Sequence, residues 1–129
     1  MDKSVAADLS IEIKVLTANT IEYAGDVDDK NGNTHALPGK RITFECVRPF
    51  AFFIKKSIQP VPANGDTSPF DDDGYVYGTK WNQGTQRYEM TSKLKGAPHL
   101  KKGDECYYGV AVLNTDGTIQ VHDPRILID

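Results

Sequence analysis

The chain has few cysteines, little excess charge of either sign and no long hydrophobic run, and each of these shortages excludes a class of protein. Only two of its 129 residues are cysteines, which excludes a small disulfide-rich scaffold. Cys46 and Cys106 both lie in strand-like apolar runs, a position that favours free buried thiols, with a disulfide as the alternative. The formal net charge of -3 creates no field that would attract nucleic acid.

Hydrophobic runs are too short for a membrane helix, which needs about 18 apolar residues, and even the run at residues 50–54 stops at Lys55. Residues 1–8 lack the apolar core of a secretion signal. We therefore expect a soluble, cytoplasmic protein that binds neither membrane nor nucleic acid. A chain of 129 residues suits one domain, and we predict a flexible segment at residues 1–9 followed by a β domain at residues 10–129.

Alternating apolar and polar residues predict strands along most of the chain. The clearest unit is a β-branched and aromatic run at residues 105–113, followed by a turn and the alternating residues 118–122, which is the pattern of a hairpin. Six further strands are predicted at residues 11–16, 21–23, 41–47, 50–54, 75–81 and 87–94. No window shows the apolar stripe and start signal of a helix.

Two apolar segments predict burial on more than one side. Residues 50–54 are apolar at odd and even positions alike, as expected of a strand covered on both faces. The three aliphatic residues at 126–128 also need a cover, which a sheet or a second subunit would supply. The breaker-rich residues 57–74 form a long loop of the kind that often carries a binding site.

A tyrosine near the end of the chain carries a resemblance to a known fold family. Asp104 precedes Tyr108 by four residues at the entry to a strand, and this spacing resembles the tyrosine corner of immunoglobulin-like sandwiches. In that corner the ring is buried and its hydroxyl bonds to backbone a few residues upstream. The resemblance implies structural roles for Asp104 and Tyr108, and a closed two-sheet core.

The pattern of turns before strands is also similar to that of cupredoxins. The copper ligands are missing, because Cys106 is followed by Tyr107 and no histidine and methionine stand beside it. We therefore predict an all-β, single-domain Greek-key β-sandwich of immunoglobulin-like or cupredoxin-like type, with about eight antiparallel strands and no cofactor.

Four aromatic residues form the first candidate site: Tyr75, Tyr77, Trp81 and Tyr88. The first three share one strand parity, so they are predicted to line one face of a sheet. An inward row would fill the core, whereas an outward row would stack on a sugar or anchor a protein partner. Parity alone leaves both readings open.

The acidic loop at residues 26–33 is the second candidate, because Asp26, Asp28 and Asp29 offer the oxygen ligands that hard cations prefer. The spacing excludes an EF-hand, since Val27 and Pro38 occupy its first and last ligand positions. An irregular cation site and a solvated acidic loop remain the two alternatives.

Catalytic patterns are weak throughout the sequence. It has no nucleophile elbow and no glycine-rich phosphate loop, and both cysteines lie in the middle of predicted strands. We therefore expect a non-enzymatic binding or assembly module that self-associates or binds a protein partner. The alternatives are a carbohydrate-binding module that uses Trp81 and neighbouring tyrosines, and a small metal-dependent enzyme that uses the acidic loops.

Overall fold

A computed structural model describes residues 8–61 and 67–129, and within these ranges the chain is all-β. The strands are β1 (Leu9–Thr17), β2 (Thr20–Gly25), β3 (Thr34–Ala36), β4 (Arg41–Cys46), β5 (Phe50–Gln59), β6 (Val76–Tyr77), β7 (Lys80–Asn82), β8 (Arg87–Lys93), β9 (Glu105–Leu113), β10 (Ile119–His122) and β11 (Arg125–Ile128). None of the described residues forms a helix of the length and apolarity needed to cross a membrane.

The strands form two sheets. The five-stranded sheet has the order β2-β1-β4-β8-β7, and the six-stranded sheet has the order β3-β11-β9-β5-β6 with β10 also paired to β9. Strand β9 organises the second sheet, because β5 runs along one of its sides while β10 and β11 share the other.

Both sheets are mixed, so the prediction of purely antiparallel strands is wrong. Strand β4 pairs parallel to β1, and β11 pairs parallel to β3. After the β1–β2 hairpin the chain crosses to the other sheet as β3 and then returns beside β1. This crossover lets β4 run in the same direction as β1, as parallel pairing requires.

The described residues form three more strands than the sequence predicted. Strands β3 and β11 were missed, and the predicted strand at residues 75–81 is two strands that belong to different sheets. Ile126 and Ile128 of β11 are buried between the sheets, so the chain itself covers this end segment. The predicted hairpins formed by β9 with β10 and by β7 with β8 are confirmed.

Two predicted segments lie partly outside the described residues. Of the predicted flexible segment at residues 1–9, residues 1–7 are not described, and the buried Leu9 begins β1. Of the predicted loop at residues 57–74, residues 62–66 are not described. Strand β5 extends into this loop as far as Gln59, and the buried Phe70 bridges to Leu94.

An aromatic cluster joins the two sheets. The ring of Phe44 in the five-stranded sheet lies 5.0 Å from that of Phe52 and 5.2 Å from that of Tyr108, both in the six-stranded sheet. All three side chains are fully buried. The alternating apolar positions of both sheets therefore meet in one core, an arrangement consistent with a β-sandwich.

Tyr108 is buried as predicted, but its hydroxyl has a different partner from that of a tyrosine corner. It donates a hydrogen bond of 2.8 Å to the carbonyl of Gly32, which lies 76 residues earlier in the chain. The tyrosine therefore ties β9 to the loop between β2 and β3. Asp104, also buried, accepts a hydrogen bond of 3.0 Å from the Lys101 N–H and holds the turn before β9.

Candidate functional site

The outer face of the five-stranded sheet is polar. Three of its strands are joined there by Arg87, whose guanidinium contacts the Glu12 carboxylate and lies 3.6 Å from that of Glu45. Lys14 and Glu22 stand opposite each other on β1 and β2. This face is suited to solvent, as is usual for a sheet that covers a core on its other side.

The outer face of the six-stranded sheet is apolar across its middle. The strand register places eight small or apolar residues side by side there, and we call this set the apolar face: Ala51, Phe53, Val76, Gly109, Ala111, Leu113, Ile119 and Val121. Four of them are markedly exposed: Val76 at 75%, Ile119 at 64%, Val121 at 56% and Leu113 at 37%. Exposed apolar residues that are contiguous mark interaction surfaces more often than scattered ones do.

The side chains of the apolar face are small where β5 and β9 face each other at Ala51 and Ala111. Gly109 and two alanines occupy the middle of β9 and β5, whereas branched side chains stand on the flanking strands β6 and β10. The Phe53 ring lies over Gly109, since a Cβ at that glycine would come within 2.2 Å of the ring. Only glycine leaves room for this ring position.

Charges at one end of the apolar face occur as opposite pairs. The Lys55 ammonium lies 2.9 Å from the Asp123 carboxylate, and the Arg125 guanidinium lies 3.2 Å from that of Glu105. Lys56, whose ammonium lies 5.6 Å from the centre of the Tyr107 ring, adds a single positive charge at this end.

Strand β10 has reversed polarity: its polar side chains point inward and its apolar side chains point outward. His122 shares the inner side of the strand with the buried Gln120, and its Nε2 lies 2.8 Å from the Gln120 Oε1. Partial burial lowers the pKa of His122. Ile119 and Val121 point outward instead. Alternation in a sequence shows which residues share a face, and not which face is inside.

The candidate aromatic site is divided between the two sheets. Tyr77 packs edge-on against Phe52 and Phe70 at 6.0 and 5.5 Å, and its hydroxyl donates to the Asp72 carboxylate. Tyr75, in contrast, is 43% exposed. The chain changes sheets after Tyr77, so the shared parity with Trp81 does not place these residues on one face.

Trp81 and Tyr88 form a separate pair on the edge of the five-stranded sheet. They are direct cross-strand partners, with ring centroids 4.9 Å apart and planes tilted by 62°. Trp81 is 48% exposed, and its indole N–H donates to the Gln83 side chain at 3.0 Å. Tilted rings give a sugar one face to stack on rather than a flat platform.

The carboxylates of the acidic loop bind different partners. Asp26 accepts a hydrogen bond of 2.8 Å from the Ser10 N–H, while Asp29 accepts one of 2.9 Å from the Asn31 N–H and one of 3.0 Å from the Asn33 amide. Asp28 contacts His35. Within residues 8–61 and 67–129, no three His, Cys, Asp or Glu side chains are grouped to share a metal ion.

We expect Asp29→Ala to lower the free energy of unfolding by about 1–2 kcal/mol, because the loop loses hydrogen bonds to a charged acceptor. Added calcium should leave the melting temperature of both proteins unchanged, as measured by thermal unfolding with calcium or EDTA. Lys30→Ala, in the same exposed loop, is the control and should have little effect. A calcium-dependent stabilisation that Asp29→Ala abolishes would instead establish the cation site.

The two thiols are buried and free, which confirms the favoured prediction. Desolvation raises the pKa of Cys46 and raises that of Cys106 to about 12. Both are therefore protonated at neutral pH, the state in which a thiol is a poor nucleophile.

Comparison of the chain with models of known protein families gives no match, and comparison with curated proteins gives none either.

Proposed function

We propose that the protein is a non-enzymatic assembly module that pairs with a second copy of itself through the apolar face. The reversed polarity of β10 carries this proposal. Its inner positions hold the polar Gln120 and His122, while Ile119 and Val121 are 64% and 56% exposed. A strand with this pattern is suited to a partner that covers its outer side.

The sequence of β5 supports the same conclusion. Phe52 fills the core, and its neighbour Phe53 lies on the apolar face, so this strand is apolar on both sides. Such a pattern is typical of strands that are buried on both faces of the sheet. In the described residues only the inner face of β5 is covered, by the other sheet, and a second subunit would cover its outer face.

The shape and charge of the apolar face suit a symmetric pair. Four neighbouring strands make it roughly 19 Å wide, and two sheets that face each other pack about 10 Å apart. Under two-fold symmetry, the branched side chains on one border would pack over the small alanine side chains of the partner. The two ion pairs at its end would not repel a second copy, and Lys56 adds only one positive charge per subunit there.

The finer architecture and the compartment are part of the proposal. Face-to-face packing of the sheets through Phe44 and Phe52 supports a Greek-key sandwich of immunoglobulin-like or cupredoxin-like type. Two free thiols in the core suit a reducing compartment such as the cytoplasm. The tilt between Trp81 and Tyr88 makes carbohydrate binding the weaker alternative.

We expect multi-angle light scattering to show a dimer for the unmodified protein and a monomer for Val121→Lys. Symmetry places two unpaired ammonium groups in the interface of this variant, which should raise the dissociation constant at least about 100-fold. Leu16→Lys is the matched control, because Leu16 is an aliphatic side chain of similar exposure, at 52%, that lies outside the apolar face. It should remain a dimer.

The proposal fails if the unmodified protein is a monomer at concentrations of about 1 mM, or if Val121→Lys and Leu16→Lys dissociate equally. Circular dichroism of each variant separates loss of association from loss of the fold.

A further inference from the structure

A groove with a volume of about 340 Å³ lies where three connections meet: the β1–β2 turn, the β4–β5 connection and the β9–β10 turn. Ligand pockets in proteins commonly measure about 300–1,000 Å³. One wall is aliphatic and includes Leu16 and Val47, which are 52% and 55% exposed. The other wall is polar and includes Arg48, Asn114 and Asp116.

Buried side chains hold the walls of this groove in place. Asn114 and Gln120 are 4% and 6% exposed, and the Gln120 Nε2 donates a hydrogen bond of 2.7 Å to the Asn114 Oδ1. Each amide also donates to the β1–β2 turn, Asn114 to the Ala18 carbonyl at 3.0 Å and Gln120 to that of Thr17 at 2.8 Å. The groove is therefore formed before any ligand binds, which lowers the entropic cost of binding.

Arg48 supplies a fixed positive charge to the polar wall. Its Nε donates to the Leu113 carbonyl at 3.0 Å and its Nη2 to the Asn114 carbonyl at 3.3 Å. Within the part of the chain that the structure describes, no carboxylate forms an ion pair with Arg48, and its Nη1 has no hydrogen-bond partner. A half-buried guanidinium that is oriented but lacks a counter-ion is suited to bind an anion.

Asp116 limits which anion can enter. Its Oδ1 accepts hydrogen bonds from the Thr118 N–H at 2.9 Å and from the Thr118 hydroxyl at 2.5 Å, and these bonds hold its carboxylate at the wall of the groove. These bonds also lower the pKa of Asp116, so it is ionised at neutral pH. A ligand with a second negative group would be repelled by it.

We propose that this groove binds a small organic monocarboxylate with an aliphatic body. The carboxylate accepts hydrogen bonds from Arg48, and the aliphatic body lies against Leu16 and Val47. This site is separate from the apolar face and does not depend on self-association.

The probe for this site is N-acetyl-leucine, added to the isotopically labelled protein and followed by the backbone amide shifts of residues 16, 47 and 114–116 in nuclear magnetic resonance spectra. We expect saturable shifts with a dissociation constant in the millimolar range and at least about 10-fold weaker binding of N-acetyl-leucinamide, which has no charge. A parallel titration with 4-methylpentanoate distinguishes the source of the carboxylate. Equal binding indicates a free acid, and selective binding of N-acetyl-leucine indicates the C-terminus of a peptide.

Two variants test the assigned contacts. Val47→Glu leaves Arg48 in place but puts a competing carboxylate beside it, and it should weaken binding of N-acetyl-leucine at least about 10-fold. Arg48→Gln should have a similar effect, with circular dichroism to verify the fold. Absence of shifts at about 10 mM probe, equal binding of acid and amide, or unchanged binding by a folded Val47→Glu variant would each overturn the proposal.

Discussion

The protein is expected to lose its fold cooperatively between about pH 10 and pH 11. Four acids in the core are responsible: Cys46, Cys106, Tyr23 and Tyr108. Desolvation is the main cause that raises the pKa of each above its ordinary value. The folded protein therefore keeps protons that the unfolded chain releases.

The direction of this pH dependence follows from proton binding. In the unfolded chain thiols lose their protons near pH ~8.5 and phenols near pH ~10. In the core, Cys106, Tyr23 and Tyr108 stay protonated through this range, and burial raises the pKa of Cys46 above its ordinary value. The contribution of these groups to the free energy of unfolding is fully present below their unfolded pKa values and is lost as the pH rises above them. Each group removes about 1.4 kcal/mol per pH unit between its unfolded and its folded pKa, and the groups together remove a large part of a total stability of about 5–15 kcal/mol.

Far-ultraviolet circular dichroism and tyrosinate absorbance, recorded together against pH, measure this transition. Both signals should change in one step, because the buried phenols ionise when the sheets separate. Cys106→Val removes one of the four acids with little change of volume and should move the midpoint to higher pH. Gradual tyrosinate formation with the β signal retained to about pH 12 would contradict the prediction.

Phe52→Ala is expected to lower the free energy of unfolding by about 3–5 kcal/mol. The Phe52 ring is fully buried and lies 5.0 Å from both Phe44 and Tyr108, 5.7 Å from Phe70 and 6.0 Å from Tyr77. Its removal leaves a cavity bordered by two pairs of rings in contact, Phe44 with Tyr108 and Phe70 with Tyr77, so the core cannot collapse easily into the space. Urea denaturation measures the loss.

The neighbouring Phe53 provides the matched control, because it has the same side chain but lies on the apolar face. Phe53→Ala should cost less than half as much in stability at low protein concentration, while weakening dimerisation. Phe52→Leu, with an expected loss of about 1–2 kcal/mol, keeps the comparison possible if the alanine variant does not fold. Equal losses for Phe52→Ala and Phe53→Ala would contradict the assignment of core and surface.

Features that depend on neighbouring residues could be predicted from the sequence. The hairpin of β9 and β10 was found because the turn at residues 114–117 contains Asp116 and Gly117 between alternating apolar runs. The strand at residues 41–47 was found from strict alternation, and its apolar positions Ile42, Phe44 and Cys46 are the buried ones. These signals are local, so no knowledge of the partner strand is needed to interpret them.

Features that depend on distant residues were missed. The inward position of Gln120 follows from hydrogen bonds to Asn114 and to the Thr17 carbonyl, and the second partner lies 103 residues away in sequence. The change of sheet between Tyr77 and Lys80 has no local signal beyond Gly78, which is equally compatible with a continuous strand. The division of the candidate aromatic site follows from this change.

Arg48 in the groove was likewise out of reach of sequence analysis. Its position against the carbonyls of Leu113 and Asn114 joins segments 65 and 66 residues apart. An arginine before a proline gives no local indication of such contacts. The apolar face had a partial signal in Phe53 and in the alternation of Ile119 with Val121, but the sequence did not show that these side chains share one surface.

The central position of β9 affects how the chain folds during synthesis. All five strands of the five-stranded sheet have been synthesised once residue 93 is added. Strand β9 begins only at Glu105, and its partners β10 and β11 follow it. The five-stranded sheet therefore emerges from the ribosome with its apolar inner side only partly covered, by β3, β5 and β6, until β9 and the strands after it are made. During this interval the nascent chain is most exposed to misassembly with its neighbours, and a chaperone would have its greatest effect there.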